Sequence, residues 1–338
     1  MALVDWDLAT STAARLGPTG PSVTMGEATT VVRELRRLAE GATEHVATFT
    51  GLQPQLTDAP VAVVDRKTWA AENVAGLRTV LTPLTEKLGP KIGDVAAAIG
   101  SKVAGVQAGT LLAYLSGKVL GQYEVFGNSP GKLLLVAPNV VAVERKMGVD
   151  PRDFRLWVSI HEVTHRTQFT AVPWLRDHFV SEVQQFVAAS EPSRQIWQQA
   201  GKVLDAARGK DGVSLLDAMQ TPEQKVVLDR LTCIMTLLEG HAEMVMDGVG
   251  PSVIPSVGRI RATFDRRREA ANPFEQYVRR LLGIDVKLKQ YTQGKAFVAK
   301  VVDTVGMAGF NRIFDSPQTL PRLDELSSPQ SWVDRVAA

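Results

Sequence analysis

Two histidines and a glutamate within residues 157–169 have the spacing of a metal-dependent active site. His161 and His165 are four residues apart, and Glu162 directly follows the first of them, in the pattern H-E-x-x-H. In a helix this spacing places both imidazoles on one face, one turn apart, where both can reach one metal ion. Glu162 lies about 100° further round the helix, where it can act on a water molecule rather than on the ion. The motif therefore predicts a zinc cofactor bound by the two histidines, with Glu162 as the catalytic base.

A second polar cluster supplies candidates for the third ligand that a catalytic zinc site usually needs. The cluster Glu239-Gly240-His241-Ala242-Glu243 interrupts an apolar stretch, where polar groups are costly unless something pairs with them. Glu239 and Glu243 share a helix face, whereas His241 lies about 200° from Glu239. We expect Glu239 to be the ligand and Glu243 to accept a ring N–H of one of the two motif histidines. The alternatives are His241 as ligand, in a three-histidine site, and a solvated acidic helix edge without metal.

Composition is that of an ordinary globular protein. The 338 residues are 45% hydrophobic and 22% charged, which allows one large domain or two ordinary ones. A net charge of +2 does not favour nucleic acid as a partner, and none is expected. The single cysteine, Cys233, excludes an intrachain disulfide. The first residues lack the basic segment and apolar core of a signal peptide, so the expected location is the cytoplasm.

Helical patterns dominate the chain, and two of them carry the candidate ligands. Asp150 followed by Pro151 is a helix cap with proline at the first helical position, and the helix that starts there carries His161. Thr221 and Pro222 start the helix of Glu239 in the same way. Apolar spacing predicts further helices over residues 22–48, 67–80, 92–120, 139–147, 174–189, from 272 and over 286–305. Charged and polar residues interrupt 92–120, which indicates a buried helix and no membrane span.

Strand signals are few. The clearest is Leu133–Val136, an apolar run bounded by proline and glycine; 122–126 is weaker, and 61–66 is either a strand or the entry to a helix. The predicted fold class is therefore mainly α, with at most a small β-sheet. A soft boundary near 128–131 is expected to separate an N-terminal helical lobe, residues 1–130, from a lobe with the motifs, residues 131–338, within one compact unit.

The pairing of H-E-x-x-H with the distant E-G-x-A-E resembles the gluzincin arrangement, in which E-G-x-A on a second helix supplies the third zinc ligand. More specifically, most of the chain is similar to a zincin-like hydrolase family of actinobacterial type. Segments 119–123, 135–139 and 289–294 carry this likeness beyond the two motifs. The resemblance implies a mainly helical fold with a zincin-like core. It also implies a zinc-dependent metalloprotease label and an association with biosynthesis of the deazaflavin coenzyme, but no substrate.

The resemblance adds candidates for the group that stabilises a tetrahedral oxyanion. Tyr291 and Tyr123 are candidates because both lie in segments that carry the likeness, and His241 is a third. Tyr291 is the first choice as this catalytic residue. Gln168 lies two turns after His161 and roughly on its face, and is a candidate to support the ligands. Arg166, directly after the second histidine, departs from the uncharged residue usual in zincins and is expected to point away from the metal.

A basic segment offers a second kind of function. Residues 259–295 contain ten basic and four acidic residues, which is either a solvated helix face or a patch for an acidic ligand. The first hypothesis is a zinc hydrolase that cleaves a peptide or amide bond with water activated by Glu162. The alternatives are a zincin-fold protein that keeps its metal and acts as a scaffold linked to coenzyme biosynthesis, and a basic-surface binding protein with a vestigial motif.

Overall fold

The computed structural model describes residues 3–54, 59–88, 94–127, 129–189, 222–269 and 284–337. Within its helices, the side chains of 86–88, 94–97, 267–269 and 284–292 lie outside this description. The protein is mainly helical and has a small three-stranded sheet, which confirms the predicted fold class.

The helices follow one another along the chain with a few strands between them. The larger described helices are α1 (Trp6–Leu16), α2 (Met25–Thr50), α3 (Arg66–Leu88), α4 (Asp94–Ser116), α5 (Ala137–Met147), α6 (Pro151–Ala171), α7 (Leu175–Ala188), α8 (Pro222–Gly248), α9 (Val257–Glu269) and α10 (Ile284–Asn311). Short helical turns occupy much of Arg312–Ala337. Among the described helices, none is long and apolar enough to cross a membrane. The helix predicted from residue 272 begins outside the described residues.

The sheet contains all three strand candidates. Its strands are β1 (Val61–Val64), β2 (Gly121–Glu124) and β3 (Lys132–Val136), in the order β1-β3-β2. Strand β1 is parallel to β3, whereas β2 is antiparallel to it. The central strand β3 buries Leu133 to Val136 completely, as expected for a short apolar run that is covered on both faces. Residues 61–64 thus form a strand, and helix α3 follows directly.

Contacts divide the chain into two compact units. Unit 1 comprises Met1–Arg176 and Val245–Phe264, and unit 2 comprises Asp177–Met244 and Asp265–Ala338. Unit 1 contains the sheet, helices α1 to α6 and most of α9. Unit 2 contains most of α7 and of α8, together with α10 and the C-terminal turns. The lobe boundary near residues 128–131 stays a prediction.

Helix α6, which carries H-E-x-x-H, is the centre of unit 1. Asp150 caps its first turn by accepting a hydrogen bond from the backbone N–H of Asp153 (2.9 Å), and Pro151 occupies the first turn. The helix buries 15 of its 21 residues, since it packs against α2, α5, β2 and β3. The buried residues include polar and charged side chains as well as apolar ones, and packing on several sides makes α6 a rigid element that holds the motif.

A buried arginine ties α6 to its neighbours. Arg155 binds both carboxylate oxygens of Glu144 on α5 (2.9 and 2.5 Å) and one oxygen of Glu34 on α2 (2.5 Å). Bidentate pairs of this kind fix geometry as well as charge. The network therefore sets the position of the first half of α6 relative to two other helices of unit 1.

The helix predicted over residues 92–120 is α4, which the structure describes from Asp94 to Ser116. Glycines on one face let the backbone of α1 approach: a Cβ on Gly109 would lie 2.4 Å from the carbonyl oxygen of Ala9. The other face is exposed, with Ile99 62% and Val103 52% accessible. The segment was expected to be a buried helix, but among its described side chains it is buried on one side only.

Candidate metal centre

The imidazoles of His161 and His165 converge on one point, as the helical spacing predicts. Their Nε2 atoms are 3.2 Å apart, and the two rings are nearly perpendicular, with centroids 4.8 Å apart. Two nitrogens bound tetrahedrally to zinc at the usual Zn–N distance would be separated by about 3.3 Å. The pair therefore already has the spacing that a shared zinc ion needs.

The other ring nitrogen of His165 contacts a buried amide. Its Nδ1 lies 3.0 Å from Oε1 of Gln168, three residues further along α6. Gln168 is fully buried, whereas His165 is partly buried. This contact places Gln168 beside a candidate ligand, in the supporting position considered from the sequence.

Glu162 is held on the side of α6 that meets the sheet. Its side chain is only 6% exposed, and it lies directly against Gly121 at the start of β2. A Cβ on Gly121 would be 2.5 Å from Cγ of Glu162 and 2.9 Å from its Oε1. The carboxylate therefore occupies space that exists only because residue 121 has no side chain.

Glu239 lies on α8, beside a close helix crossing in unit 2. A Cβ on Gly240 would lie 2.2 Å from the backbone carbonyl carbon of Gly294 on α10, and a Cβ on Gly294 would lie 2.2 Å from the carbonyl oxygen of Thr236. Backbone meets backbone at this crossing, so neither position tolerates a side chain. The glycine of E-G-x-A thus has a packing role that the sequence analysis missed. A glycine inside an apolar helix was the available signal.

His161, His165 and Glu239 form a group that could hold a metal ion. Each offers one ligand atom, and these atoms lie within 4.8 Å of one another. All three residues are partly buried. Two imidazoles and one carboxylate are a donor set that suits catalytic zinc and leaves a coordination position open. The chemistry of the donors and the spacing of the two Nε2 atoms therefore fit the metal.

His241, the alternative ligand, lies in an aromatic environment. It is fully buried, and its ring centroid is 5.0 Å from that of Phe310 and 6.0 Å from that of Phe314. Its neighbours on this side belong to α10 and the turn that follows. The group of possible metal ligands includes Glu239 and not His241, which favours the first choice made from the sequence.

Tyr123 and Arg166 are both engaged in structural contacts. The Tyr123 ring stacks on Phe169 at 5.6 Å, and its hydroxyl donates a hydrogen bond to the carbonyl oxygen of Pro130. Burial raises the pKa of Tyr123 to about 12, so the hydroxyl keeps its proton. Arg166 donates to Oγ1 of Thr43 on α2 (2.6 Å). These contacts give Tyr123 a packing role and give the unusual arginine a partner on α2.

The roles of two further candidates, Tyr291 and Glu243, stay predictions. Tyr291 belongs to α10, but its side chain lies outside the described part of the structure, so its role as an oxyanion donor stays a prediction. Glu243 lies one turn after Glu239 on α8. Its contact with a ring N–H of His161 or His165 stays a prediction.

The basic segment is described only in part. Arg261 donates a hydrogen bond from Nε to Oδ1 of Asp247 (3.0 Å), and its Nη2 lies 2.8 Å from Oδ2 of the same carboxylate as an ion pair. Its guanidinium also lies over the ring of Trp157, 5.2 Å from the ring centroid. Arg259 donates to the carbonyl oxygen of Gly148 (3.0 Å). These two arginines therefore serve packing within unit 1. The side chains of 267–292 lie outside the described residues, and an acidic ligand for the segment stays a prediction.

Two histidines and a carboxylate form a ligand group that suits a catalytic metal, and comparison with known proteins narrows the class of protein. Residues 4–333 match the zincin-like metallopeptidases, and the chain belongs to this family. It is also 30% identical to a protein from Chloroflexus aurantiacus whose crystal structure is described as that of a candidate hydrolase with a novel fold. That match covers 98% of each chain with a TM-score of 0.73. No curated protein matches the sequence.

Membership of the family supports a zinc hydrolase in general terms. Zincins typically use zinc, and the His161, His165 and Glu239 group agrees with that chemistry. The actinobacterial type and the link to a deazaflavin coenzyme go beyond these comparisons and stay predictions.

Proposed function

We propose that this protein is a zinc-dependent hydrolase that cleaves a peptide or amide bond, with zinc bound by His161, His165 and Glu239. The observation that carries the proposal is the grouping of one ligand atom from each of these residues within 4.8 Å. The distance of 3.2 Å between the two Nε2 atoms supports it, because tetrahedral ligation needs that separation. The metallopeptidase family supports a peptide substrate.

Glu162 is the proposed general base and acid. Zinc in such a site acts as a Lewis acid towards water and towards a substrate carbonyl. Glu162 accepts the proton of the attacking water and passes it to the leaving amine. The contact with Gly121 restricts the carboxylate to one side of α6, so little orientation has to be acquired during the reaction. Tyr291 is the proposed donor to the developing oxyanion.

Metal analysis of the purified protein tests the ligand set. The wild type should contain about one zinc per chain, because a site with three protein ligands binds zinc tightly. His161→Ala and Glu239→Ala should lose the zinc, whereas His45→Ala, which removes a histidine from α2, should retain it. A wild-type protein without zinc, or a His161→Ala variant with full zinc content, would refute the metal site.

Glu162→Gln separates an enzyme from a scaffold. The variant should retain zinc, since Glu162 is not a ligand, and should lose cleavage of peptide and amide library substrates by at least about 100-fold. Cleavage that is equal in wild type and variant would exclude Glu162 as the base. If the wild type binds zinc and no cleavage depends on Glu162, the alternative applies: a zincin-fold metal-binding scaffold, linked through the resemblance to coenzyme biosynthesis.

A further inference from the structure

We propose that Gln168 is a positioning residue that fixes His165 as the Nδ1–H tautomer and thereby directs the lone pair of Nε2 to the metal. The inference deepens the proposed zinc site and rests on it for its consequence, whereas the tautomer itself is a property of the chain alone. Among the described contacts, Gln168 is the side chain that meets the outer nitrogen of His165.

The direction of the hydrogen bond follows from atom types. A carboxamide oxygen can only accept, so at 3.0 Å from Oε1 the Nδ1 atom of His165 must carry the proton. A neutral imidazole has one N–H, and its other nitrogen is then an acceptor. Nε2 of His165 therefore presents a lone pair, and it does so 3.2 Å from Nε2 of His161. The lone pair is therefore on the nitrogen that a metal shared with His161 would need.

Burial makes this arrangement persistent. Gln168 is fully buried, and leaving a buried carboxamide without a hydrogen-bond partner is costly. Its position three residues after His165 on α6 is one at which helical side chains meet. Rotation of the amide would place its NH₂ group against Nδ1 and would demand a proton on Nε2. That state is incompatible with metal ligation, so the two orientations have opposite consequences that experiment can separate.

A glutamine differs from the carboxylate that often occupies this position behind a zinc-bound histidine. It orients the ring without adding negative charge to a site that already contains Glu239 and Glu162. With two neutral imidazoles and one carboxylate, the site with zinc keeps a formal charge of +1, which preserves the Lewis acidity of the metal. Replacing Gln168 with glutamate should therefore keep the orientation and tighten zinc binding.

The first experiment reads the tautomer without metal. Long-range ¹H–¹⁵N spectra of the zinc-free protein, at a pH where the ring is neutral, distinguish Nδ1–H from Nε2–H, and the five histidines can be assigned by single substitutions. His165 should be the Nδ1–H tautomer in the wild type and should shift towards Nε2–H in Gln168→Met, which has similar length but no acceptor oxygen. A wild-type Nε2–H tautomer, or one unchanged in the variant, would overturn the proposal.

The second experiment measures zinc affinity by competition with a chelator. Gln168→Met should weaken zinc binding by about 10–100-fold, the usual effect of losing the partner of a ligating histidine. Gln168→Glu should restore or exceed the wild-type affinity. Thr167→Val is the matched control, since Thr167 is buried on the same helix but lies about 200° round from His165, and its affinity should not change.

The outcomes separate this inference from the proposed function. If the wild type binds no zinc, the proposed function fails, and the tautomer spectra still decide the role of Gln168. If the wild type binds zinc and Gln168→Met binds it equally well, the inference fails and the zinc site stands. Circular dichroism of each variant checks that it folds; if Gln168→Met does not, Gln168→Glu and Gln168→Asn supply the comparison, and loss of affinity in Asn but not Glu supports the role.

Discussion

Gly121 leaves space for the candidate base, Glu162, because glycine has no side chain. The Glu162 side chain on α6 is buried, and its Cγ lies 2.5 Å from the position that a Cβ would take at residue 121 of β2. A carboxylate that transfers protons must be held where it can reach both water and leaving group. Gly121 thus makes room for the Glu162 side chain against β2, and the sheet limits the other positions that this side chain could take.

We expect Gly121→Ala to displace Glu162 and to destabilise the protein by about 1–3 kcal/mol, because overpacking forces side chains from their preferred rotamers. The free energy of unfolding, from urea denaturation, measures the loss. Zinc content should stay near the wild-type value while Glu162-dependent cleavage falls. A Gly121→Ala protein of wild-type stability would show that the strand and the helix separate easily at this point.

At the scale of elements, the close crossing of α8 and α10 explains why the E-G-x-A motif contains a glycine. Gly240 and Gly294 let the two backbones touch, and this contact sets the path of α8 at Glu239. The ligand position is therefore determined by a helix pair, since a side chain at either glycine would push the helices apart.

Gly240→Ala should lower the free energy of unfolding by more than about 2 kcal/mol, because the new Cβ would meet backbone atoms that cannot rotate away. The matched control is Gly41→Ala in α2, where a Cβ would have no neighbour within 4 Å. That change should stabilise the protein by about 0.5–1 kcal/mol through helix propensity. Equal effects at the two sites would contradict a close crossing.

The C-terminal turns should be sensitive to acid. Glu325 is buried, which alone would raise its pKa, but hydrogen bonds from Arg335 and from the backbone of Arg322 outweigh this, and the pKa lies below its ordinary value of 4.5. The carboxylate thus stabilises the fold fully above pH 4.5, and the stabilisation is lost as the pH falls through the lower folded-state pKa.

Urea denaturation as a function of pH can check this. In the wild type, part of the stability lost in acid should come from Glu325, and Glu325→Gln should be less stable at neutral pH and show a weaker decline below pH 4.5. Arg335→Met should be less stable at neutral pH as well, because it leaves the buried carboxylate without its bidentate partner. If Glu325→Gln and the wild type show the same dependence of stability on pH, Glu325 does not contribute to the acid sensitivity.

For the whole molecule, local patterns predicted the elements and long-range packing set the details of the site. The spacing of His161 and His165 and the apolar run Leu133–Val136 were readable because their signals lie within one turn or one strand. The contact of Gly121 with Glu162 was not, since it joins residues 41 positions apart and glycine leaves no pattern of its own. Gln168 was only a candidate, because helical spacing gives its face but not which nitrogen it meets.

Zinc should stabilise the whole fold, because it binds residues that are brought together only in the folded chain. At a free concentration about 100 times its Kd, the metal contributes about 2.7 kcal/mol. A chelator should therefore lower Tm in the wild type and leave the Tm of His161→Ala unchanged. Scanning calorimetry with added zinc and with the chelator measures the difference in Tm. A wild-type Tm that does not change with the chelator would contradict the expectation.

The extensive burial of α6 has a consequence for how the sequence of this helix can change over evolutionary time. Fifteen of its 21 positions are buried, so substitutions along most of the helix are removed by selection for folding alone. His161 and His165 are only partly buried and are not among these positions. Relatives that lost the chemistry would keep the buried positions of the helix and change at the two histidines, so retention of both in a homologue reports on the metal and not on the packing.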